Sequence, residues 1–245
     1  ASGVGRTLQP LRIKAGRFAE RSVDELAKQG SYLDGRWRGL LGALVGSGRR
    51  APLTPEAFAT VLRTKRFTNG ADADTVIKLY RETATALLGS AKELRYVKLA
   101  WKAADYEHLG QALRYCGALE TLELRQMGLG DADATAVLGG LSLPALKALT
   151  LVKCTSLTAL PDLTGLAALK TLKLTFCTSL TALPDLSGLA ALKELILYGC
   201  FSLTALPDLS GLAALEWLDL TSCTSLTALP DLSGLAALKK LDLDG

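Results

Sequence analysis

Cys154, Cys177, Cys200 and Cys223 recur every 23 residues, and each heads a near-copy of the stretch CTSLTALPDLSGLAALK. Thiols can hold metals, form disulfides, attack substrates or fill a structural slot. A zinc site needs about four ligands converging on one point, and no CxxC pair or histidine stands near these cysteines. Other groups with chemical potential are sparse. The single histidine, His108, lies in Asp105-Tyr-Glu-His108-Leu on an expected helix, where a solvated or capping role suffices. Gly70-Ala-Asp-Ala-Asp74 and Gly130-Asp-Ala-Asp133 have the look of cation loops but lack the further ligands and terminal Glu of an EF-hand. Both stand where helices start, so helix capping accounts for them. No Walker loop occurs, and Gly3-Val-Gly5 is not followed by a further spaced glycine. Nothing in this set assembles a base beside a nucleophile, so the chain reads as a non-enzyme with no cofactor and no metal.

The cysteines belong to a longer periodicity. Leu146, Leu169, Leu192, Leu215 and Leu238 share the 23-residue spacing, and units open as Leu169-Lys-Thr-Leu172-Lys-Leu174-Thr-Phe-Cys177. Two less regular units precede them, one through Leu94, Val97 and Leu99 and one through Leu119, Leu122 and Leu124. Alternation of leucine with polar residues marks short strands buried on one face. Pro161, Pro184, Pro207 and Pro230 cannot donate to a ladder and belong on the irregular side of each coil. Ser187-Gly188-Leu189-Ala190-Ala191 and its copies offer a serine cap and about one helical turn back to the next strand. One such coil cannot bury its leucines alone, so neighbours must stack.

This pattern resembles the leucine-rich repeat family, over residues 94–245. The first two units, with expected helices at 103–115 and 131–138, are similar to ribonuclease-inhibitor-like repeats. The later L-x-x-L-P-x-L-x-x-L units are similar to those of plant resistance receptors. The resemblance implies an α/β solenoid: a curved parallel sheet of about seven coils with a helical N-terminal cap. It also implies that the cysteine position is the inward slot usually held by asparagine. Stacked residues lie about 4.8 Å apart, within reach of a disulfide, but parallel Cβ vectors suit a row rather than a bridge. All five cysteines, Cys116 included, are therefore expected to be reduced and buried.

Bulk composition bounds the remainder. At 245 residues and mean hydropathy +0.25, the densest apolar run is the eight residues from Gly39 to Gly46, short of the roughly 18 a bilayer span needs. The net charge of +4 hides an asymmetry. Residues 1–70 carry 13 Lys+Arg against 5 Asp+Glu, whereas the remaining 175 carry 15 against 19. Three parts follow: a basic, partly irregular arm at 1–50, a helical cap at 51–93 and the repeat domain at 94–245. In the cap, Thr54-Pro55-Glu56 opens a helix over 57–64 and Asp72 or Asp74 caps a longer one. Phe67-Thr-Asn-Gly70-Ala-Asp-Ala-Asp74 resembles the flank preceding repeats in leucine-rich proteins of unicellular algae. The chain begins at Ala1, which leaves an intracellular location, or an organelle such as a plastid once a targeting peptide is lost. At the other end it stops one strand into a seventh coil. The expectation there is that the native chain continues or another subunit covers the edge.

Function then falls to the outward positions. The third position of each unit gives Tyr96, Thr121, Ala148, Thr171, Glu194, Trp217 and Lys240, and Lys98 opens the next column. Phe176, Ile196, Tyr198 and Trp217 gather on three consecutive coils, flanked by Lys173, Glu194 and Asp219. Aromatics grouped on an exposed face are typical interface anchors. The reading is a protein-binding module that uses the concave face, with no specific nucleic acid and no small-molecule substrate. The alternative is a structural accessory subunit of a larger, membrane-associated complex, attached through residues 1–50. Deleting residues 1–50 is expected to leave a folded repeat domain, seen as a retained cooperative thermal transition. Under the accessory reading that truncated chain folds but no longer joins its complex.

Overall fold

The computed structural model describes residues 51–64 and 70–244. The expected arm at 1–50 lies outside them, as do residues 65–69, which include the first three of the alga-like flank. Two helices come first, α1 (Pro55–Arg63) and α2 (Gly70–Ser90). Thr54 caps α1, its hydroxyl accepting from the Ala57 amide at 3.2 Å, and Pro55 occupies the first turn, where no amide is needed. The second helix starts at Gly70, ahead of both aspartates expected to cap it. Phe58, Leu62, Val76, Ile77 and Tyr80 form a small core between the two, with the Phe58 and Tyr80 rings stacked at 3.8 Å. Leu88 and Ala51 belong instead to the main core, and the Tyr115 hydroxyl donates to Glu56 at 2.9 Å across the junction.

Seven parallel strands follow in sequence order: β1 (Glu93–Val97), β2 (Thr121–Arg125), β3 (Ala148–Val152), β4 (Thr171–Thr175), β5 (Glu194–Ile196), β6 (Trp217–Asp219) and β7 (Lys240–Asp242). The first two returns are helical, α3 (Ala103–Leu113) and α4 (Asp131–Leu138). Among the later returns only Thr164–Leu166 makes a helical turn, a 3₁₀ one. Gly110 lets α3 and α4 close together, since a Cβ there would stand 1.9 Å from the Ala136 carbonyl oxygen. Leu122, Leu149, Leu172, Leu195 and Leu218 are fully buried in one row. Each contributes about 1.5–3 kcal/mol of transfer free energy. Strand, irregular return and inward leucine rows together make the chain a leucine-rich-repeat solenoid.

The first coil corrects the sequence reading. Leu94 pairs with Leu122 and Tyr96 with Leu124, not Leu94 with Leu119. Ala91 therefore takes the first leucine position of the unit, Leu94 the second, Tyr96 the third inward leucine position and Leu99 the cysteine slot. Tyr96 is only 5% exposed, and the outward residues are Glu93 and Arg95. The displacement is three residues, an odd number, so it exchanges the two faces of the strand. Both Leu94-x-Tyr96 and Val97-x-Leu99 alternate correctly, and only pairing to β2 selects between them.

A second correction concerns the returns. The cap is an aspartate two residues before the expected serine. Asp185 Oδ1 accepts from the Ser187 amide at 2.9 Å and Oδ2 from its hydroxyl at 2.8 Å. Asp162, Asp208 and Asp231 repeat the arrangement with Thr164, Ser210 and Ser233. The Ser187 amide, and then its hydroxyl, hold the Asp185 carboxyl below its ordinary range.

Two ladders bind coil to coil. In the interior, the thiols of Cys177, Cys200 and Cys223 donate to the carbonyls of Leu151, Leu174 and Leu197 at 3.6, 2.9 and 3.2 Å. All five cysteines are free and buried, and burial pushes the Cys116 thiol up to about 12. On the opposite wall runs a threonine ladder that sequence reading missed. Thr181 and Thr204 hydroxyls donate to the carbonyl of the threonine 23 residues earlier at 3.1 and 3.2 Å, and Thr227 extends the row. Asp131 begins it, accepting from the amides of Thr158 and Ala159 at 2.7 and 3.1 Å and from the Thr158 hydroxyl. Asp133 reaches back to the Gly130 amide at 3.1 Å, so one carboxylate of that apparent cation loop serves the helix start and the other serves the ladder.

Cys200→Ser places a stronger polar group in this interior and is expected to cost about 1–3 kcal/mol in chemical denaturation. Native alkylation at Cys177 or Cys200 should proceed only as fast as the fold opens. Rapid labelling of the folded protein would contradict the interior ladder.

Candidate protein-binding face

Outward side chains of the sheet stack across the strands in columns fixed by register. Thr171 lies beside Glu194, Glu194 beside Trp217 and Trp217 beside Lys240. In the next column Lys173 lies beside Ile196 and Ile196 beside Asp219. The residues singled out in the sequence therefore share one face of β4, β5 and β6 and the turns that follow. They are not equivalent. Lys173 and Glu194 are about equally exposed and form an ion pair at 3.4 Å. Ile196, at 6% exposure, is covered by its neighbours and offers almost no contact area of its own.

Phe176 and Tyr198 form an edge-to-face pair, with centroids 4.8 Å apart and planes at 76°. Their placement follows from the turn closing each strand. Lys98, Gln126, Lys153, Phe176 and Ser222 all adopt positive φ between 52° and 62° at that position, and Gly199 does so at 74°. A Cβ on Gly199 would come within 2.6 Å of the Phe176 ring. Glycine thus creates the space in which the ring lies, against the edge of Tyr198. On the other side, the Lys153 ammonium sits 5.7 Å from the Phe176 centroid.

Trp217 is held more tightly. Its Nε1 donates to Asp242 Oδ2 at 2.9 Å, and the Lys240 ammonium lies 4.3 Å from the ring centroid. Lys240 and Asp242 are themselves paired at 2.7 Å. The Lys240 ammonium and the Trp217 indole lower the Asp242 carboxyl below its ordinary range, with the lysine as the larger cause. Asp219 closes its own turn, Oδ1 accepting from the Thr221 amide at 2.9 Å. Tyr198, half-buried, has no such hydrogen bond or ion pair among the described residues, and the ring it packs against is that of Phe176.

Other positions on this face were missed in the sequence. Glu123 is 8% exposed although charged, and Arg95 and Arg125 reach it at 3.4 and 3.2 Å. Arg95 also pairs with Glu93. The register error around Tyr96 hid this cluster, because it put Arg95 at the second position of its unit, outside the outward columns. Phe201, 42% exposed, stands where the other coils carry threonine after the cysteine, a break in the repeat that was readable from the letters. His108 is half-buried on α3. Among the described residues no group of His, Cys, Asp and Glu could hold a metal ion, and no helix is long and apolar enough to cross a membrane.

No protein-family model matches the chain, and no curated protein matches it. Among solved structures, the chain is similar to the leucine-rich repeat domain of the type III effector XopL, at 19% identity and a TM-score of 0.39, covering 87% of this chain and 88% of that one. It is also similar to a leucine-rich repeat protein of Leptospira interrogans, at 13% identity and a TM-score of 0.18, over 66% and 80% of the two chains. An internalin of Listeria monocytogenes matches at 15% identity and a TM-score of 0.17, over 66% and 76%.

Gly199→Ala is expected to destabilise the protein by about 1–3 kcal/mol, from positive φ and from the Phe176 ring together. In a Phe176→Ala background the ring is gone, and the same substitution should cost only about 1 kcal/mol. Denaturation of the four proteins of this cycle measures the difference. Equal costs in both backgrounds would mean that the ring does not occupy that space.

Proposed function

We propose that the chain is a non-catalytic protein-binding module whose recognition surface is the concave face of the solenoid. The observation that carries this reading is the Phe176–Tyr198 pair with Trp217, on three successive coils above a fully buried leucine row. Aromatic rings offer large contact area for few frozen torsions, and a rigid support lowers the ordering cost of binding. Lys173, Glu194 and Asp219 flank them and supply a polar rim of both signs. The neighbouring thiols are committed to carbonyls, and His108 lies on α3, away from the outward columns. Chemistry other than binding finds little to work with there.

A second reading, an accessory subunit anchored through residues 1–50, draws on the basic composition of that segment. It would put the attachment outside the solenoid and leave the concave face for another contact.

Affinity purification of the full chain, with mass spectrometry, identifies the partner. Tyr198→Ala and Trp217→Ala are then compared with the parent by calorimetry. Loss of one central aromatic anchor is expected to cost about 2 kcal/mol or more of binding. Tyr198→Ala should change the melting temperature less than Trp217→Ala, because no side-chain hydrogen bond or ion pair ties Tyr198 to the fold among the described residues. Trp217→Ala should also loosen the last strand, which its indole holds through Asp242. Unchanged affinity in both proteins would move the binding site off this face.

A further inference from the structure

The charges on the concave face are divided lengthwise. Over β1 to β4 and their closing turns the outward basic residues are Arg95, Lys98, Arg125, Lys153 and Lys173, against Glu93 and Glu123. Both of those acids are already held by the arginines. Over β5 to β7 the sign reverses: Glu194, Asp219, Asp242 and Asp244 stand against Lys240 alone. The column at the strand starts does not share this division and is net basic in both halves. Glu120 bridges Lys92 and Lys147, Glu216 bridges Lys193 and Lys239, and Lys170 of the fourth coil is left over. The change of sign falls at the aromatic pair, with Phe176 on the basic side and Tyr198 on the acidic side.

We propose that this face takes an extended polypeptide segment lying across the strands, acidic where it covers β1–β4, apolar or aromatic over Phe176 and Tyr198, and basic where it covers β5–β7. The inference rests on the concave-face reading above and specifies the partner's chemistry. Seven strands about 4.8 Å apart span roughly 29 Å, the length of about nine extended residues. The sheet's own backbone bonds are consumed between strands, so recognition is through side chains. Charge is then what orients the segment, and like charges in apposition penalise the opposite orientation. A second copy of the chain would also present both signs. Two concave surfaces touch only at their rims, however, and a single segment follows the curve where a copy cannot.

The test uses the full chain and two synthetic peptides of one composition, followed by fluorescence anisotropy. One has about four acidic residues, Leu-Trp-Leu and about four basic residues in blocks, long enough to span the sheet. The other alternates the signs on both sides of the same centre. The block peptide is expected to bind at least about tenfold more tightly, and to weaken as salt is raised. Lys98→Glu with Lys153→Glu should remove that preference, so that the two peptides bind the variant alike. Equal affinities, an undetectable block peptide, or a preference that survives the charge reversal would each overturn the proposal. These outcomes are separable from failure of the face itself. If Tyr198→Ala weakens both peptides equally while neither is preferred, the concave site stands and only its charge polarity is lost. If Tyr198→Ala leaves a bound block peptide unaffected, the segment binds elsewhere and both conclusions fall.

Discussion

The structure depends on contact between consecutive coils. A coil of 23 residues encloses too little volume to shield its own leucines, and the exposure values make this visible. Leu218 and Leu220 are 0% and 3% exposed beneath the seventh coil, whereas Leu241 and Leu243 in that coil are 37% and 47% exposed. The side chains are of one type in equivalent positions, and the difference is the presence of a neighbour. Everything else in the repeat is arranged to keep that contact in register. Parallel strand pairing sets the spacing on one wall, threonine hydroxyls bridge it on another, and cysteine thiols bond the preceding coil from inside.

Seen this way, the cysteines are a solution to a polar problem. Where the strand ends and the chain turns, carbonyls point into an apolar interior, and each lost hydrogen bond would cost about 1–3 kcal/mol. A thiol is small enough to stack at every coil and polar enough to donate weakly. Met127 and Leu99 fill the same slot in the first two coils, where no thiol is supplied. Helices α3 and α4 replace the irregular return in those coils. They bring a larger apolar surface, closed tightly at Gly110.

The same regularity turns the exposed face into a display. Because inward positions are committed to the row, variation is confined to outward ones. There the chain departs most from its own repeat: Thr171, Glu194, Trp217 and Lys240 occupy one column, and Gly199 replaces a larger residue in a turn otherwise made by Lys, Gln, Phe and Ser. The glycine and the ring that lies over it belong together. Neither is required for the solenoid, and together they set Phe176 against Tyr198.

Much of this was legible in the letters because a period of 23 with alternating leucines has few physical realisations. One-sided strands and stacked coils follow from side-chain period and from the need to bury leucine, while the parallel sheet and the inward thiols were what the resemblance implied. The aromatic columns follow from counting positions within the unit. The sequence could not set the register of the first coil, since two apolar alternations three residues apart satisfy the same motif, and only hydrogen bonding to β2 separates them. Nor could it show that Asp131 begins a ladder at Thr158, 27 residues on. Ile196 reads as an exposed anchor from its parity, yet neighbouring side chains cover it, and the same crowding ties Trp217 to Asp242 while Tyr198 makes no such bond among the described residues. Side-chain period is a local property, carried by each segment alone. Coverage and pairing belong to two segments at once, and only the folded chain brings those together.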